Sequence, residues 1–213
     1  MDKKTWRIVC ISDTHGAHAK FQIPTGDILL HTGDFTKRGK ESEIIDFNHW
    51  LGSLPHRHKV VIAGNHDFGM EKYPEKAHAW ISNAHYLNDQ EITLEGLRIW
   101  GSPVTPWFYD WAFNRERGAD ISQHWNLIPD GIDILLTHGP PEGMLDETLT
   151  GKTVGCADLM QAIMRVRPRL HVFGHIHEGY GLVQNTDTTF INASLMDINY
   201  HPTQAPWVFE WVI

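Results

Sequence analysis

Val60-Val61-Ile62-Ala63-Gly64-Asn65-His66-Asp67 is the stretch whose reading decides the fold. The four apolar residues read as a buried strand, and Gly64-Asn65 as the tight turn that ends it. The turn presents an amide oxygen, an imidazole and a carboxylate on three adjacent residues. An amide oxygen can ligate a hard or borderline cation. A neighbouring histidine can act on a substrate held by that cation, and a carboxylate can fix its tautomer. Gly-Asn alone is an ordinary turn signal. Four more apolar runs end in the same manner, at Asp13-Thr14-His15, Gly33-Asp34, Thr137-His138-Gly139 and Gly174-His175-Ile176-His177.

Working outward, the runs that lead into these turns predict strands over residues 7–12, 28–32, 59–63, 133–137 and 170–173. A helix is predicted over 40–51, with Ile44, Phe47, Trp50 and Leu51 as its apolar face and Pro55 beyond its end. A short helix begins near Pro74, another lies around 120–125, and a third covers 156–166. Leu159, Met160, Ile163, Met164 and Val166 are the expected buried face of that last helix. Glu95-Gly96 marks a hairpin between strands over 91–94 and 97–101. Strands over 188–191 and 207–213 close the chain, the last with Trp207, Phe209, Trp211 and Ile213 on one face. There is no repeat and no linker. This order predicts one α/β domain over 1–213, built from two mixed sheets packed together with helices outside. Every donor falls just past the C-terminal end of a strand, the edge where open α/β sheets gather their ligand sites.

Composition removes several function classes. Lys and Arg number 18 against 26 Asp and Glu, a formal charge of −8, and no segment concentrates the cations. No nucleic-acid footprint or polybasic membrane patch is present. The apolar runs are strand-sized, too short to span a bilayer. Residues 1–6 contain no signal-peptide core. Two cysteines, Cys10 and Cys156, make no disulfide framework and fit a reducing compartment, so a cytoplasmic location is expected. The oligomeric state is not specified by the sequence.

Asp13, His15, Asp34, Asn65, His138, His175 and His177 form a set of seven O and N donors. A single catalytic zinc takes about three protein ligands. Seven suit two divalent ions that share a bridging carboxylate. Cysteine is absent from the set, which argues against a soft-metal or structural zinc site. Mixed imidazole and carboxylate donors admit manganese, iron, zinc or nickel, and cobalt besides, and the sequence does not choose among them; manganese is carried forward as the leading expectation. Two such ions clamp an in-line displacement at phosphorus, with a bridging hydroxide as the nucleophile. Two dications against Asp13 and Asp34 leave a positive centre, which suits a small phosphate ester in an otherwise acidic protein.

The five segments, in this order, resemble the signature of the calcineurin-like metallophosphoesterase superfamily: Asp-x-His, Gly-Asp, Gly-Asn-His-Asp/Glu, His and Gly-His-x-His. The stretches Gly33-Asp34-Phe35-Thr36, Trp50-Leu51-Gly52-Ser53-Leu54-Pro55, Thr137-His138-Gly139-Pro140-Pro141 and Phe173 to Gly181 are similar to those of its metallophosphoesterase-domain-containing subfamily. The resemblance implies a four-layered α/β/β/α sandwich, two metal ions and phosphodiesterase activity, often on nucleotide-type substrates such as cyclic nucleotides. It further implies that Asp13, His15 and His177 hold a first metal, that Asn65, His138 and His175 hold a second, and that Asp34 bridges them. His66 then serves the leaving-group oxygen as general acid, and Asp67 orients it. Some members of the subfamily have glycine where this chain has His175.

Other readings stay open. Each motif alone fits a plain turn, and the other ten histidines read as surface or hydrogen-bonded core residues. Trp107, Tyr180 and Asn192 are candidate substrate contacts. The aromatic loop from Trp107 to Phe113 reads first as a packing cluster and second as a base-stacking platform. A phosphomonoesterase or phosphoprotein phosphatase is the alternative enzyme. The sequence shows no arginine cluster to grip a dianion, although Arg38, Arg115 or Arg117 could fold inward. A metal-binding interaction scaffold with vestigial activity is the alternative outside catalysis.

Overall fold

The computed structural model describes residues 5–212. Residues 1–4, part of the segment expected to lack a signal-peptide core, and Ile213, expected to share a face of the last strand with Trp207, Phe209 and Trp211, lie outside the described residues. The first strand, β1 (Thr5–Ile11), is buried from Ile8 onward, as its unbroken apolar run requires. β2 (Ile28–Thr32) runs parallel to it with Cys10 opposite Leu30. The crossover helix α1 (Glu41–Ser53) buries Ile44, Phe47 and Leu51 and leads into β3 (His58–Ile62), parallel to β2. Two short helices, α2 (Phe68–Lys72) and α3 (Ala77–Trp80), then bring the chain to the edge strand β4 (His85–Tyr86).

β5 (Gln90–Leu94) and β6 (Leu97–Ser102) form the expected hairpin, turning through Glu95 and Gly96, both at positive φ. A two-stranded ladder, β7 (Thr105–Pro106) with β8 (Asn114–Arg115), pinches the base of the aromatic loop. α4 (Ala119–Trp125), β9 (Ile134–Thr137), α5 (Ala157–Val166) and β10 (Leu170–Phe173) follow. β11 (Gly181–Gln184) and β12 (Thr189–Asn192) complete the second sheet, and β13 (Trp207–Val212) returns antiparallel to β1. The strand orders are β13-β1-β2-β3-β4 and β11-β12-β10-β9-β6-β5.

Period-2 alternation sorts the strand residues into layers. Ile8, Cys10, Leu30 and Ile62 face Ile99, Leu136, Val172 and Ile191 between the sheets. Val9, Ile11, Leu29 and Val61 face outward onto α1 and α3. Trp100, Leu135, Phe173 and Phe190 face outward onto α4 and α5. The result is the α/β/β/α sandwich with two mixed sheets.

The face assigned to α5 needs correction. Leu159, Ala162, Ile163 and Val166 are buried, whereas Met164 is 68% exposed and Met160 half-buried. The i, i+3, i+4, i+7 stripe is narrower than the apolar residues on the helix suggest. β4, β7, β8, β11 and α2 were not anticipated, because segments of two to five residues carry too little periodicity.

Leu136→Ala, in the fully buried layer between the sheets, is expected to lower stability by about 2–5 kcal/mol. Met164→Ala is expected to change it by less than about 0.5 kcal/mol. Urea denaturation with unchanged m values measures both, and a Met164→Ala loss matching that of Leu136→Ala would restore Met164 to the core.

Candidate functional site

Backbone pairing continues past the strand ends and packs the five turns together. Asp13 N donates to Gly33 O (3.0 Å), His15 N to Asp34 O (2.9 Å) and Gly174 N to His138 O (2.9 Å). Beyond β12, Ser194 bridges to Ser12, and Leu195 N donates to Ser12 O (3.0 Å), which ties the second sheet to the first at this edge. Asp13, His15, Asp34 and His175 all have positive φ, between 43° and 69°. Non-glycine residues rarely adopt this region, and such strain persists only where the surroundings over-determine it. Gly33, at φ 101°, leaves no room for a side chain: a Cβ there would lie 2.6 Å from Ala63 O and 2.7 Å from His138 Nδ1.

The first cluster is Asp13, His15 and His177. Asp13 Oδ2 accepts from Ser194 Oγ (2.8 Å) and His175 N (3.0 Å). Its Oδ1 is buried and accepts no hydrogen bond. It faces His177 Nε2 at 3.4 Å and His15 Nε2 at 3.8 Å. The two imidazole Nε2 atoms are 3.3 Å apart. His177 Nδ1 donates to Asp197 O (2.9 Å), which fixes Nε2 toward the cluster.

The second cluster is Asp34, His138 and His175, with Asn65 beside it. Asp34 Oδ1 accepts from His66 N (2.7 Å), leaving Oδ2 for the imidazoles. Asp34 Oδ2 lies 3.4 Å from His138 Nε2 and 3.8 Å from His15 Nε2, so this one oxygen faces both clusters. His138 Nδ1 donates to Thr32 O (2.8 Å), and its Nε2 lies 2.8 Å from Asn65 Oδ1.

The electrostatics follow from burying two carboxylates beside four imidazoles. Burial disfavours charge on Asp13, yet the His177 imidazole beside it, with the charges of His138 and His15 behind, holds its carboxyl well below the usual range. Burial likewise acts against Asp34, and His138 overcomes it in the same way. In return, although burial opposes it, Asp34 holds His138 up at about 9, and Asp13 does the same for His177. Burial wins at His15, lowered to about 4, and at His175, lowered to about 3 with help from the charge of His138.

His66 stands at the rim. Its Nδ1 donates to Lys37 O (2.9 Å), and its Nε2 lies 3.9 Å from Asp34 Oδ2. The expected role of Asp67 is corrected here. Its carboxylate does not meet the His66 ring but accepts from Asp34 N (2.9 Å), Gly64 N (2.8 Å), Thr36 N (2.9 Å) and Thr36 Oγ1 (2.7 Å). With the side chain fully buried beneath the turn, the Lys37 carbonyl sets the His66 tautomer instead.

A cleft of about 150 Å³ opens above the donors, lined by His15, Asp34, Asn65, His66, Phe108, Trp111, His175, His177 and Tyr200. None of the three candidate substrate contacts lines it. Trp107 is 51% exposed and donates from Nε1 to Asp110 (3.2 Å). Tyr180 donates to Ala205 O (2.8 Å). Asn192 is buried, donating to Ile176 O (2.8 Å) and accepting from Ser194 N (3.1 Å). From the aromatic loop it is Phe108, 5.0 Å from the His175 ring, and Trp111, 4.4 Å from the His66 ring, that reach the cleft. Tyr200 was missed. Its ring packs edge-on at 4.8 Å from His15 and 5.3 Å from His177. An isolated tyrosine in a polar loop gives no sequence signal of that placement.

The sequence model of the family described as calcineurin-like phosphoesterase matches residues 7–179. The chain belongs to that family. It is also 46% identical to metallophosphoesterase domain-containing protein 1 of Homo sapiens and of Mus musculus, over 96% of this chain and 70% of each relative. The solved structure of TT1561 of Thermus thermophilus superposes with a TM-score of 0.58 at 13% identity, covering 89% of both chains, a likeness of fold.

Membership supports a metal-dependent phosphoester hydrolase, and the residues fit divalent ions on their own terms. A buried carboxylate oxygen without a donor faces two imidazole nitrogens, and the other donors are the N and O types such ions take. Gly174 keeps the approach clear, because a Cβ there would collide with the Asp13 carboxylate.

His138 and His177, held near 9, carry protons at neutral pH, and their Nε2 lone pairs become available only when those protons leave. Loading divalent metal at pH 7 is therefore expected to release about two protons, and apparent affinity should rise as pH climbs toward 9. Calorimetry in buffers of different ionisation enthalpy counts the protons. A release near zero at pH 7 would contradict the pairing.

Proposed function

We propose that this chain hydrolyses phosphodiesters, nucleotide-type esters and cyclic nucleotides among them, at a centre of two divalent ions. Asp13, His15 and His177 would hold one ion, Asn65, His138 and His175 the other, with Asp34 between them. We take manganese as the leading metal. Cys10 and Cys156 are both free and buried, which is compatible with the cytoplasm we propose as its location. Among the described residues, no helix is long and apolar enough to cross a membrane.

When bound, the ions supply positive charge for the phosphoryl oxygens and lower the pKa of a bound water. The chain's own residues do the rest. The observation that carries the hydrolytic reading is the placement of His66, while the preference for diesters rests on the resemblance to the metallophosphoesterase-domain-containing subfamily. Because Nδ1–H donates to Lys37 O, Nε2 is the ring atom left to face the cleft and to deliver a proton there. That proton is of most use to an alkoxide leaving group. Phe108 and Trp111 line one flank and Tyr200 another, offering flat apolar surface to the organic part of an ester.

One observation favours the monoesterase reading. The Arg38 guanidinium lies 5.2 Å over the Trp111 ring, so a cation does stand at the rim, contrary to the sequence argument against a dianion grip. A kcat/KM higher for p-nitrophenyl phosphate than for bis-p-nitrophenyl phosphate, across several metals, would favour that reading.

His66→Asn is expected to keep its metal and to lose little activity on a nitrophenyl diester, whose leaving group needs no proton. On a cyclic nucleotide it should lose about 10²–10⁴-fold. The measurement is kcat/KM across leaving groups with metal content checked. Equal losses on both would make His66 a phosphoryl-oxygen stabiliser rather than an acid.

A further inference from the structure

The cleft over the donors does not stop at His66. A second cavity of about 300 Å³ shares His15, His66 and Tyr200 with it and continues over Ala17, Lys20, Lys37 and Met196. Its chemistry differs from that of the first. Lys20 and Lys37 line it, and among the described residues neither side chain is paired with a carboxylate. The stem of Lys37 lies across the turn that holds His15, where a Cβ on Gly16 would sit 3.6 Å from Lys37 Cε. Its backbone carbonyl is the group that accepts from His66 Nδ1. One residue therefore both orients the rim histidine and borders the space beyond it.

A protein with formal charge −8 gains nothing in solubility from two unpaired cations in a concave surface. They raise the local concentration of anions there and reward a ligand that brings negative charge. Ala17, Met196 and Tyr200 supply the apolar wall against which the rest of such a ligand can pack.

We propose that this second cavity is a subsite for a further anionic group, a phosphate, on the leaving-group side of the substrate. The inference rests on the diester reading for its orientation, since His66 marks where the leaving oxygen lies. The preferred substrate class is then a nucleotide diester that carries a second phosphate remote from the bond that is cleaved. The esterified phosphate sits over the donors, the leaving oxygen at His66, and the remote phosphate between Lys20 and Lys37.

The test uses two pairs of compounds that differ only in the remote phosphate, with the metal-loaded protein. A 2′,3′-cyclic adenosine phosphate with a 5′-phosphate should be hydrolysed with kcat/KM about tenfold above the same compound without it, the yield of two partly exposed charge contacts. Adenosine 3′,5′-bisphosphate should bind about tenfold more tightly than adenosine 3′-phosphate by calorimetry, for the same reason. In the Lys20→Gln/Lys37→Gln double variant both ratios should fall to about one, while circular dichroism and metal content report that the fold and the centre persist. Wild-type ratios below about twofold, or ratios that survive in the double variant, overturn the subsite. Tighter bisphosphate binding without hydrolysis of either cyclic compound supports the subsite and overturns the diester reading, so the two failures are distinguishable.

Discussion

Two carboxylates, Asp13 and Asp34, are buried almost completely in one pocket, and among the described residues no lysine or arginine side chain pairs with them. Ionised carboxylates taken out of water cost several kcal/mol each unless paired and hydrogen-bonded. Most of the local structure answers that cost. Ser194 and the backbone of His175 serve one oxygen of Asp13, and the backbone of His66 serves one oxygen of Asp34. In each carboxylate the remaining oxygen faces imidazole nitrogens, so the negative charge is balanced by protons or by divalent ions. Both solutions use the same atoms, which is why the pKa values of His138 and His177 and the metal chemistry are linked.

The same constraint explains where strain is tolerated. Asp13, His15, Asp34 and His175 hold left-handed backbone in turns that lie between buried strands of two sheets. Relaxing any of them would swing a carboxylate or an imidazole away from its partner. The sheets supply the rigidity: the strands that lead into the donor turns, β1, β2, β3, β9 and β10, are buried on both faces where they end, and the bridge from Ser12 to Ser194 fastens the sheet edges beside the site. Strain of this kind is expected where function, rather than stability, selects the conformation.

How much of this was legible in the sequence depends on range. The five donor turns were legible because each follows an apolar run long enough to be a buried strand, and the strand's end places its side chains. The hairpin at Glu95-Gly96 and the α1 face were legible for similar local reasons. What failed depends on contacts across the fold. Trp107 and Trp111 are indistinguishable as sequence, yet the β7–β8 pinch exposes the first and turns the second onto His66. Tyr200 reaches the site through a turn that Asp197 organises by accepting from the backbone of Asn199 and His201 (2.8 Å each). Met164 is apolar and lies one residue beyond Ile163, yet the second sheet covers too narrow a face of α5 to bury it.

Asp67 is the most instructive of these cases. A carboxylate next to a histidine invites the inference that one orients the other. Adjacent residues in a turn, however, direct their side chains apart, and here Asp67 points under the turn while His66 points over it. The carboxylate gathers the amides of Asp34, Thr36 and Gly64 and the Thr36 hydroxyl, drawing the turn after β2 against the turn after β3. His66 N is bonded in turn to Asp34 Oδ1. The fourth residue of Gly64-Asn65-His66-Asp67 therefore acts on the chemistry through backbone geometry, by fixing the two donors Asp34 and Asn65 relative to each other. A neutral amide at position 67 would present an N–H₂ to donors on at least one side. Its effect should fall on both turns at once, and so on the donor set before the rim histidine.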